Sequence, residues 1–314
     1  MKLTARPWWP WAKRALGLAF MLLVVGLLVK YARTVEWSEV KQSVLELPRH
    51  VLLQAGLLCA ASHLLYSCFD LIGRRYTRHG LPVPQVMQVN FTSYAFNLNF
   101  GSLVGGVAFR YRLYSRLGLG YATITRVLTL SMLTNWLGYL LLAGIVFTLA
   151  PLQLPPDWKM DSHGLQLLGI ALIAAALAYL LLCGWSRRRS WELRGHELIL
   201  PQPRMALLQL AVSCANWMIM ALAVFTLLQG RIEYTQVLSV LLIAAVAGVI
   251  THVPAGLGVL EAVFVALLSH QVPQSQLLGA LLAYRALYYI LPLLAAALLY
   301  LSMEVRARKH APAA

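Results

Sequence analysis

Apolar runs of nearly bilayer length recur along this chain of 314 residues. A transmembrane helix needs about 20 consecutive apolar residues to cross the hydrocarbon core. The chain is 60% hydrophobic and 12% charged, with a mean hydropathy of +0.69, which excludes an ordinary soluble domain. We predict an all-α polytopic membrane protein with one integral domain, 1–314, and full spans at about 15–31, 50–72, 122–150, 165–185, 204–228 and 276–303.

The basic residues predict how these spans are oriented. The net charge is +15, and Lys and Arg collect in short clusters at 2–14, 74–78, 110–116, 187–194 and 306–309. The positive-inside rule assigns these clusters to the cytoplasm and therefore places both termini there. Because they are short collars at the ends of spans, they do not indicate nucleic-acid binding. Attraction to anionic lipid headgroups is a secondary role that suits them.

The first span, about 15–31, follows a basic segment, as the apolar core of a signal peptide does. No small-residue cleavage site follows it, so we expect an uncleaved anchor.

Two further apolar stretches, about 84–109 and 235–270, contain glycine or proline breaks. The predicted orientation makes each stretch enter and leave the membrane on one side. We therefore predict two re-entrant hairpins, one from each face. Two ordinary kinked spans, with an exception to the positive-inside rule, are the alternative. With re-entrant hairpins, the halves at about 1–150 and 151–314 form an inverted repeat, a common plan for secondary transporters.

The run from Val249 to Glu261 is the strongest candidate for a functional site. It interrupts an apolar segment with Pro254, Gly256 and Gly258 and places a carboxylate in the helix that follows. Broken backbone at membrane depth persists only where protein or a water-filled cavity satisfies it, because lipid offers no hydrogen bonds. A carboxylate there costs about 2.5–3.5 kcal/mol on insertion scales and is typically functional. The run therefore predicts a polar site inside the membrane.

Charged residues within the spans are expected to find partners. Arg285 lies about ten residues into the last span, and Glu261 is the nearest acid by depth. The two either form a structural ion pair or contact a ligand, and a forked guanidinium suits a phosphate diester. Glu261 is also a candidate proton-coupling carboxylate. Asp70 is expected to pair with Arg74 or Arg75.

Other polar residues near the breaks each have a functional and a structural interpretation. Arg110 follows a glycine-rich tip and either faces a cavity or anchors the chain at the interface. Arg126 occupies a place in the first half similar to that of Arg285, or snorkels to the interface. His252 is either a proton relay or a hydrogen-bonded residue at the break. The predicted substrate-binding set is Gly105, Gly106, Arg110, Arg126, His252, Pro254, Gly256, Gly258, Glu261 and Arg285.

Cofactor and enzyme signals are missing from the sequence. The four cysteines and eight histidines show no metal-ligand spacing, and no phosphate-cradling P-loop is present. The predicted loops are too short to hold a soluble catalytic domain. We therefore expect no metal, no cofactor and no enzymatic activity.

Three sequence elements carry a family resemblance. They are Phe100-Gly-Ser-Leu-Val-Gly-Gly-Val-Ala-Phe-Arg110 with the Tyr111-Arg-Leu-Tyr that follows, Pro254-Ala-Gly-Leu-Gly-Val-Leu-Glu261, and Tyr284-Arg285. Together they resemble the lysylphosphatidylglycerol synthetase transmembrane-region family, which includes the flippase portion of the multiple peptide resistance factor. Over nearly its whole length the chain is similar to stand-alone members from the inner membrane of Gram-negative bacteria. The first hairpin departs from the family pattern, because no proline precedes its glycines.

The resemblance implies an inner-membrane protein with re-entrant helices that moves or presents lipids. The chain ends shortly after its last predicted span, so we do not expect the aminoacyl-lipid synthesis of bifunctional members. We expect a flippase-like protein whose partners are membrane phospholipids, including anionic ones, with a homodimer as the default assembly. An ion-coupled small-solute transporter and a non-transporting scaffold for a lipid or envelope biosynthesis enzyme are the alternatives.

Overall fold

The computed structural model describes residues 37–150, 152, 161–186, 190–193, 196–251, 253 and 256–309. The predicted span at 15–31 and its reading as an uncleaved anchor lie outside these residues. The helices are α1 Trp37–Leu45, α2 Arg49–Ser67, α3 Phe69–Thr77, α4 Val83–Phe100, α5 Phe109–Arg116, α6 Tyr121–Leu149, α7 Ser162–Trp185, α8 Pro203–Leu227, α9 Tyr234–Thr251, α10 Val259–Leu268, α11 Gln274–Arg285 and α12 Leu291–Lys309. Two π-helical segments, Ser102–Ala108 and Ala286–Ile290, precede α5 and α12 respectively.

Among the described residues, six helical stretches are long and apolar enough to cross a membrane. They are Arg49–Thr77, Tyr121–Leu149, Ser162–Trp185, Pro203–Leu227, Tyr234–Thr251 and Gln274–Met303. Five of these confirm predicted spans. The sixth, Tyr234–Thr251, is the first limb of the stretch that we expected to be a re-entrant hairpin.

In both predicted hairpin stretches, the segment after the glycine break packs against the helix before it. The chain leaves α4 through Gly101 and returns through the π-helical segment Ser102–Ala108, which packs against α4. Likewise α10 packs against α9. Helix α10 has 10 residues, or about 15 Å, half the thickness of the hydrocarbon core. The re-entrant course of both stretches and the inverted repeat stay predictions.

A small antiparallel strand pair departs from the all-α prediction. Strand β1, Ser190–Leu193, pairs with β2, His196–Ile199, in a register that sets Ser190 opposite Ile199. The pair lies in the connection between α7 and α8.

Close packing between α6 and α7 depends on glycine. A side chain at Gly144 of α6 would lie 2.7 Å from Ile173 and 3.0 Å from the Gly169 carbonyl oxygen of α7. Small residues let membrane helices approach until their backbones touch, which supplies the van der Waals contact that lipid-exposed helices lack otherwise. Helix α7 therefore packs along one narrow strip, and most of its other residues are exposed or half-exposed.

Candidate functional site

The second broken stretch leads directly into a buried carboxylate. Gly256 and Gly258 have φ angles of +54° and +75°, in the left-handed region that glycine enters without steric cost. Gly258 is the N-cap of α10, and Glu261 lies in the first turn, only 7% exposed. Acidic side chains are stabilised at this end of a helix by the partial positive charge of its free N–H groups.

Glu261 and Arg285 form a two-point ion pair between α10 and α11, which is one of the two alternatives that the sequence left open. Arg285 Nε donates to Glu261 Oε1, and Nη2 lies 2.9 Å from Oε2. Nη2 also donates to the Gly256 carbonyl oxygen at 2.8 Å. The guanidinium carbon lies 5.2 Å from the centre of the Tyr289 ring, within the range of a cation–π contact. The glycine break, the acid and the base therefore form one cluster.

The π-helical segment Ala286–Ile290 begins immediately after Arg285. A π-helix shifts hydrogen bonding to the fifth residue along, and such turns are frequent at functional sites. Side chains from other helices hold its backbone: His63 Nε2 lies 3.0 Å from the Tyr288 carbonyl oxygen, and Asn99 Nδ2 donates to that of Tyr289 at 3.2 Å. The segment thus connects the ion pair to α2 and α4.

The first hairpin is closed by direct contact between backbones. Gly101, with φ +84°, ends α4. A side-chain carbon at Gly105 would lie 2.0 Å from the backbone nitrogen of Asn97, so only glycine fits at this point. The rings of Phe96, on α4, and Phe109, at the start of α5, also stack with their centres 4.2 Å apart. Gly105 and Gly106 are therefore buried parts of the hairpin's own packing.

Arg110 lies at the centre of a buried network on the returning limb of the first hairpin. Its Nε donates to Asp70 Oδ2 at 3.1 Å, and its Nη1 donates to the Gly106 carbonyl oxygen at 3.2 Å. Its Nη2 donates to Asp70 Oδ1, to Asn90 Oδ1 and to Ser131 Oγ. Arg110 is 3% exposed, so its donors are used within the protein.

The expected pairing of Asp70 with Arg74 or Arg75 was wrong. Asp70 is fully buried and accepts from Arg110 and from the Tyr114 hydroxyl at 2.8 Å. Arg74 Nε instead donates to the Leu81 carbonyl oxygen. The helical spacing of the sequence favoured the neighbours along α3, whereas in the fold α3 and α5 both pack against α6, which brings the buried guanidinium of Arg110 to Asp70.

A chain of aromatic side chains joins the two ion-pair clusters. Asn90, bonded to Arg110, donates to the backbone carbonyl of Tyr66, whose ring stacks on Tyr94 with centres 3.5 Å apart. The Tyr94 hydroxyl lies 3.0 Å from that of Tyr288. Tyr288 in turn contacts Tyr289, which lies under Arg285.

The Tyr288 hydroxyl also connects this row of aromatic side chains to α8. It lies 2.9 Å from Ser62 Oγ, which donates to Asn216 Oδ1 of α8 at 2.8 Å. The side chains of Tyr288, Ser62 and Asn216 are all buried.

The predicted set has three further members: Arg126, His252 and Pro254. Arg126 is exposed near the start of α6. His252 and Pro254 lie outside the described residues. Sequence analysis did not find Asp70, Asn90 and Tyr288 as members of the site; the one available signal was the density of tyrosine in 284–289. Within the described part of the chain, no three acidic, histidine or cysteine side chains are grouped to hold a metal ion.

Comparison with known proteins gives a family and three relatives. Residues 14–296 match the family described as the lysylphosphatidylglycerol synthase TM region. The chain is 46% identical over 306 residues to inner membrane protein YbhN of Escherichia coli K12, covering 97% of this chain and 96% of that protein.

The other two relatives are more distant. An uncharacterised protein of Synechocystis is 29% identical over 290 residues, covering 91% of this chain and 90% of that protein. Phosphatidylglycerol lysyltransferase of Staphylococcus haemolyticus is 21% identical over 288 residues, which cover 88% of this chain but 32% of the enzyme.

Proposed function

Because the chain belongs to the lysylphosphatidylglycerol synthase TM region family, we propose that it moves a phospholipid-like substrate across the inner membrane. The headgroup would pass between the two helical hairpins while the acyl chains stay in the bilayer. The observation that carries this proposal is the buried Glu261–Arg285 pair at the glycine break before α10. Charges at membrane depth are costly and typically mark a substrate or ion pathway.

The chemistry of this cluster suits a phosphate diester. Arg285 offers a planar, permanently charged fork that binds phosphate oxygens at two points. The first N–H groups of α10 have no acceptor within the helix, as at the start of any α-helix, and they favour an anion. Glu261 competes for the same donors. We infer that a headgroup displaces the carboxylate from Arg285 and that Glu261 returns when the lipid leaves.

The two buried ion pairs, Arg110–Asp70 and Arg285–Glu261, have different roles in this proposal. The side chains of Arg285 and Glu261 are each 10% exposed, whereas those of Arg110 and Asp70 are 4% and 0% exposed. We infer that Arg110 and Asp70 hold the first hairpin in place, and that Arg285 with Glu261 contacts the lipid. A re-entrant course of both hairpins, from opposite faces, would bring their tips toward the membrane midplane.

The test is lipid movement by the purified protein in liposomes containing fluorescent phospholipids. An impermeant quencher reaches inner-leaflet label only if the protein moves it outward. We expect quenching beyond that of protein-free vesicles, and loss of this excess in Glu261→Gln. Glu233→Gln, which neutralises an exposed acid in the loop before α9, is the matched control and should move lipid normally.

A double variant separates ligand contact from structural pairing. Glu261→Gln with Arg285→Gln removes both charges and leaves neither buried alone. If the pair is purely structural, the double variant recovers lipid movement; if the pair handles the headgroup, movement stays lost in a protein that still folds. Absence of movement for anionic and zwitterionic lipids alike would contradict the proposal and favour a solute transporter or a scaffold.

A further inference from the structure

A groove separate from both ion-pair clusters lies between α3 and the start of α8. It encloses about 480 Å³, within the size range of small-molecule sites. Its apolar wall includes Leu71 and Ile72 from α3, and Met205 and Leu208 from α8. Leu208 is 45% exposed, so the groove opens on the outer surface of the bundle rather than into its core.

Two arginines lie at this groove, one on each helix. Arg75 of α3 and Arg204 of α8 both line it, and both are exposed. Within the described part of the chain, neither guanidinium has a hydrogen-bond or ion-pair partner, whereas the nearby Arg74 donates to a backbone carbonyl. Two permanent cations beside an apolar wall are therefore left with nothing in the described protein to neutralise them.

We propose that this groove binds one anionic phospholipid as a resident lipid, distinct from the lipid that is transported. The phosphate would lie between Arg75 and Arg204, since guanidinium groups form charge-assisted hydrogen bonds with phosphate oxygens. The first part of an acyl chain would lie along Leu71, Met205 and Leu208. Charge complementarity selects an anionic headgroup over a zwitterionic one, because a choline or ethanolamine cation would be repelled by the same arginines.

The position of the groove gives the bound lipid a role. Helix α3 carries Asp70 five residues before Arg75, and Asp70 fixes the first hairpin through Arg110. A lipid that bridges α3 and α8 ties the helix supporting that hairpin to a helix of the other half of the chain. A lipid in the groove would therefore hold α3 against α8 and so stabilise the position of the first hairpin.

The test is lipid retention measured by native mass spectrometry on the delipidated, detergent-solubilised full chain. The probe is phosphatidylglycerol, with phosphatidylcholine as the zwitterionic comparison. We expect one phosphatidylglycerol per chain, held in preference to phosphatidylcholine. Arg75→Gln with Arg204→Gln should reduce retention by about ten-fold or more, given the attraction that each arginine adds near an anionic lipid.

Two further variants distinguish a built site from general attraction between charges. Leu208→Trp fills the groove but keeps both arginines, and it should also abolish retention. Lys41→Gln with Arg49→Gln removes two exposed cations outside the groove and should leave retention unchanged. Unchanged retention in Arg75→Gln/Arg204→Gln or in Leu208→Trp would overturn the proposal.

Two further measurements show whether the bound phosphate belongs to a lipid and whether the lipid lies in the groove rather than at the transport site. Glycerol 3-phosphate, added at the same concentration, should not displace phosphatidylglycerol; full displacement would mean that the groove recognises a soluble anion and would overturn the lipid assignment. Glu261→Gln should retain the resident lipid. Loss of the lipid in Glu261→Gln alone, with the groove variants unaffected, would place the bound lipid at the hairpin site and also overturn the proposal.

Discussion

The Asp70 carboxylate lies against the guanidinium of Arg110, with Oδ2 3.1 Å from Nε and Oδ1 3.4 Å from Nη2. This contact fixes the returning limb of the first hairpin to α3. At the second hairpin, Glu261 and Arg285 form a similar contact, which connects the short α10 to α11. Each hairpin is therefore tied to a neighbouring helix by one buried ion pair.

Asp70→Asn should destabilise the protein strongly. It leaves the Arg110 charge buried without a countercharge, and removing one partner of a buried pair costs about 3–5 kcal/mol. Thermal unfolding in detergent should show a clear decrease in Tm, while Glu39→Gln, at an exposed acid, should have almost no effect. If Asp70→Asn unfolds at the wild-type temperature, Asp70 does not anchor the hairpin.

Arg285→Lys should fold but move lipid more slowly. Lysine keeps the positive charge and loses the planar fork, so it cannot bond both carboxylate oxygens of Glu261 in the two-point geometry of the guanidinium. We expect about a ten-fold lower rate of lipid movement in liposomes, corresponding to about 1.4 kcal/mol. A rate equal to that of the wild type would mean that charge alone is sufficient at this position.

Gly105→Ala should open the first hairpin. The added carbon would lie 2.0 Å from the Asn97 backbone nitrogen, and backbone cannot move aside as a flexible side chain can. We expect a loss of at least about 2 kcal/mol of stability. Gly184→Ala is the control, because nothing lies within 4 Å of its added carbon; that variant should be at least as stable as the wild type. Equal stabilities of the two variants would refute the close contact.

Tyr288→Phe should weaken the connection between the two clusters. Its hydroxyl lies within hydrogen-bond distance of Ser62 and Tyr94, and Ser62 still has Asn216 when the hydroxyl is removed. Leaving the Tyr94 hydroxyl buried without this partner costs about 1–3 kcal/mol. Chemical denaturation should show this loss, and Tyr94→Phe/Tyr288→Phe should be less destabilised than the two single variants summed. Strict additivity would show that the two hydroxyls are not coupled.

Much of the fold followed from the sequence because a bilayer imposes length and hydropathy directly. Five predicted spans are confirmed as helices, and the Glu261–Arg285 pair was predictable because a membrane-buried arginine needs an acid at its own depth. Asp70 was assigned to the wrong arginine because its true partner is 40 residues away and meets it only when α3 and α5 both pack against α6. Sequence spacing carries no signal for such a contact.

The π-helical segments were not predicted for a related physical reason. Ala286–Ile290 has the composition of an ordinary apolar helix. Its winding is held by His63 and Asn99, which lie far away in sequence, so tertiary contacts rather than local preference account for it. Helix propensity in one segment does not contain that information.

The winding of Ala286–Ile290 has a mechanical consequence for the last span. Each residue of an α-helix corresponds to about 100° of rotation around the axis. Converting this turn to α-helix would therefore rotate Arg285 and the helix before it by about a quarter of a revolution relative to α12. The hydrogen bonds from His63 and Asn99 to this segment hold its π-helical winding, and they therefore fix the rotation of Arg285 relative to α12.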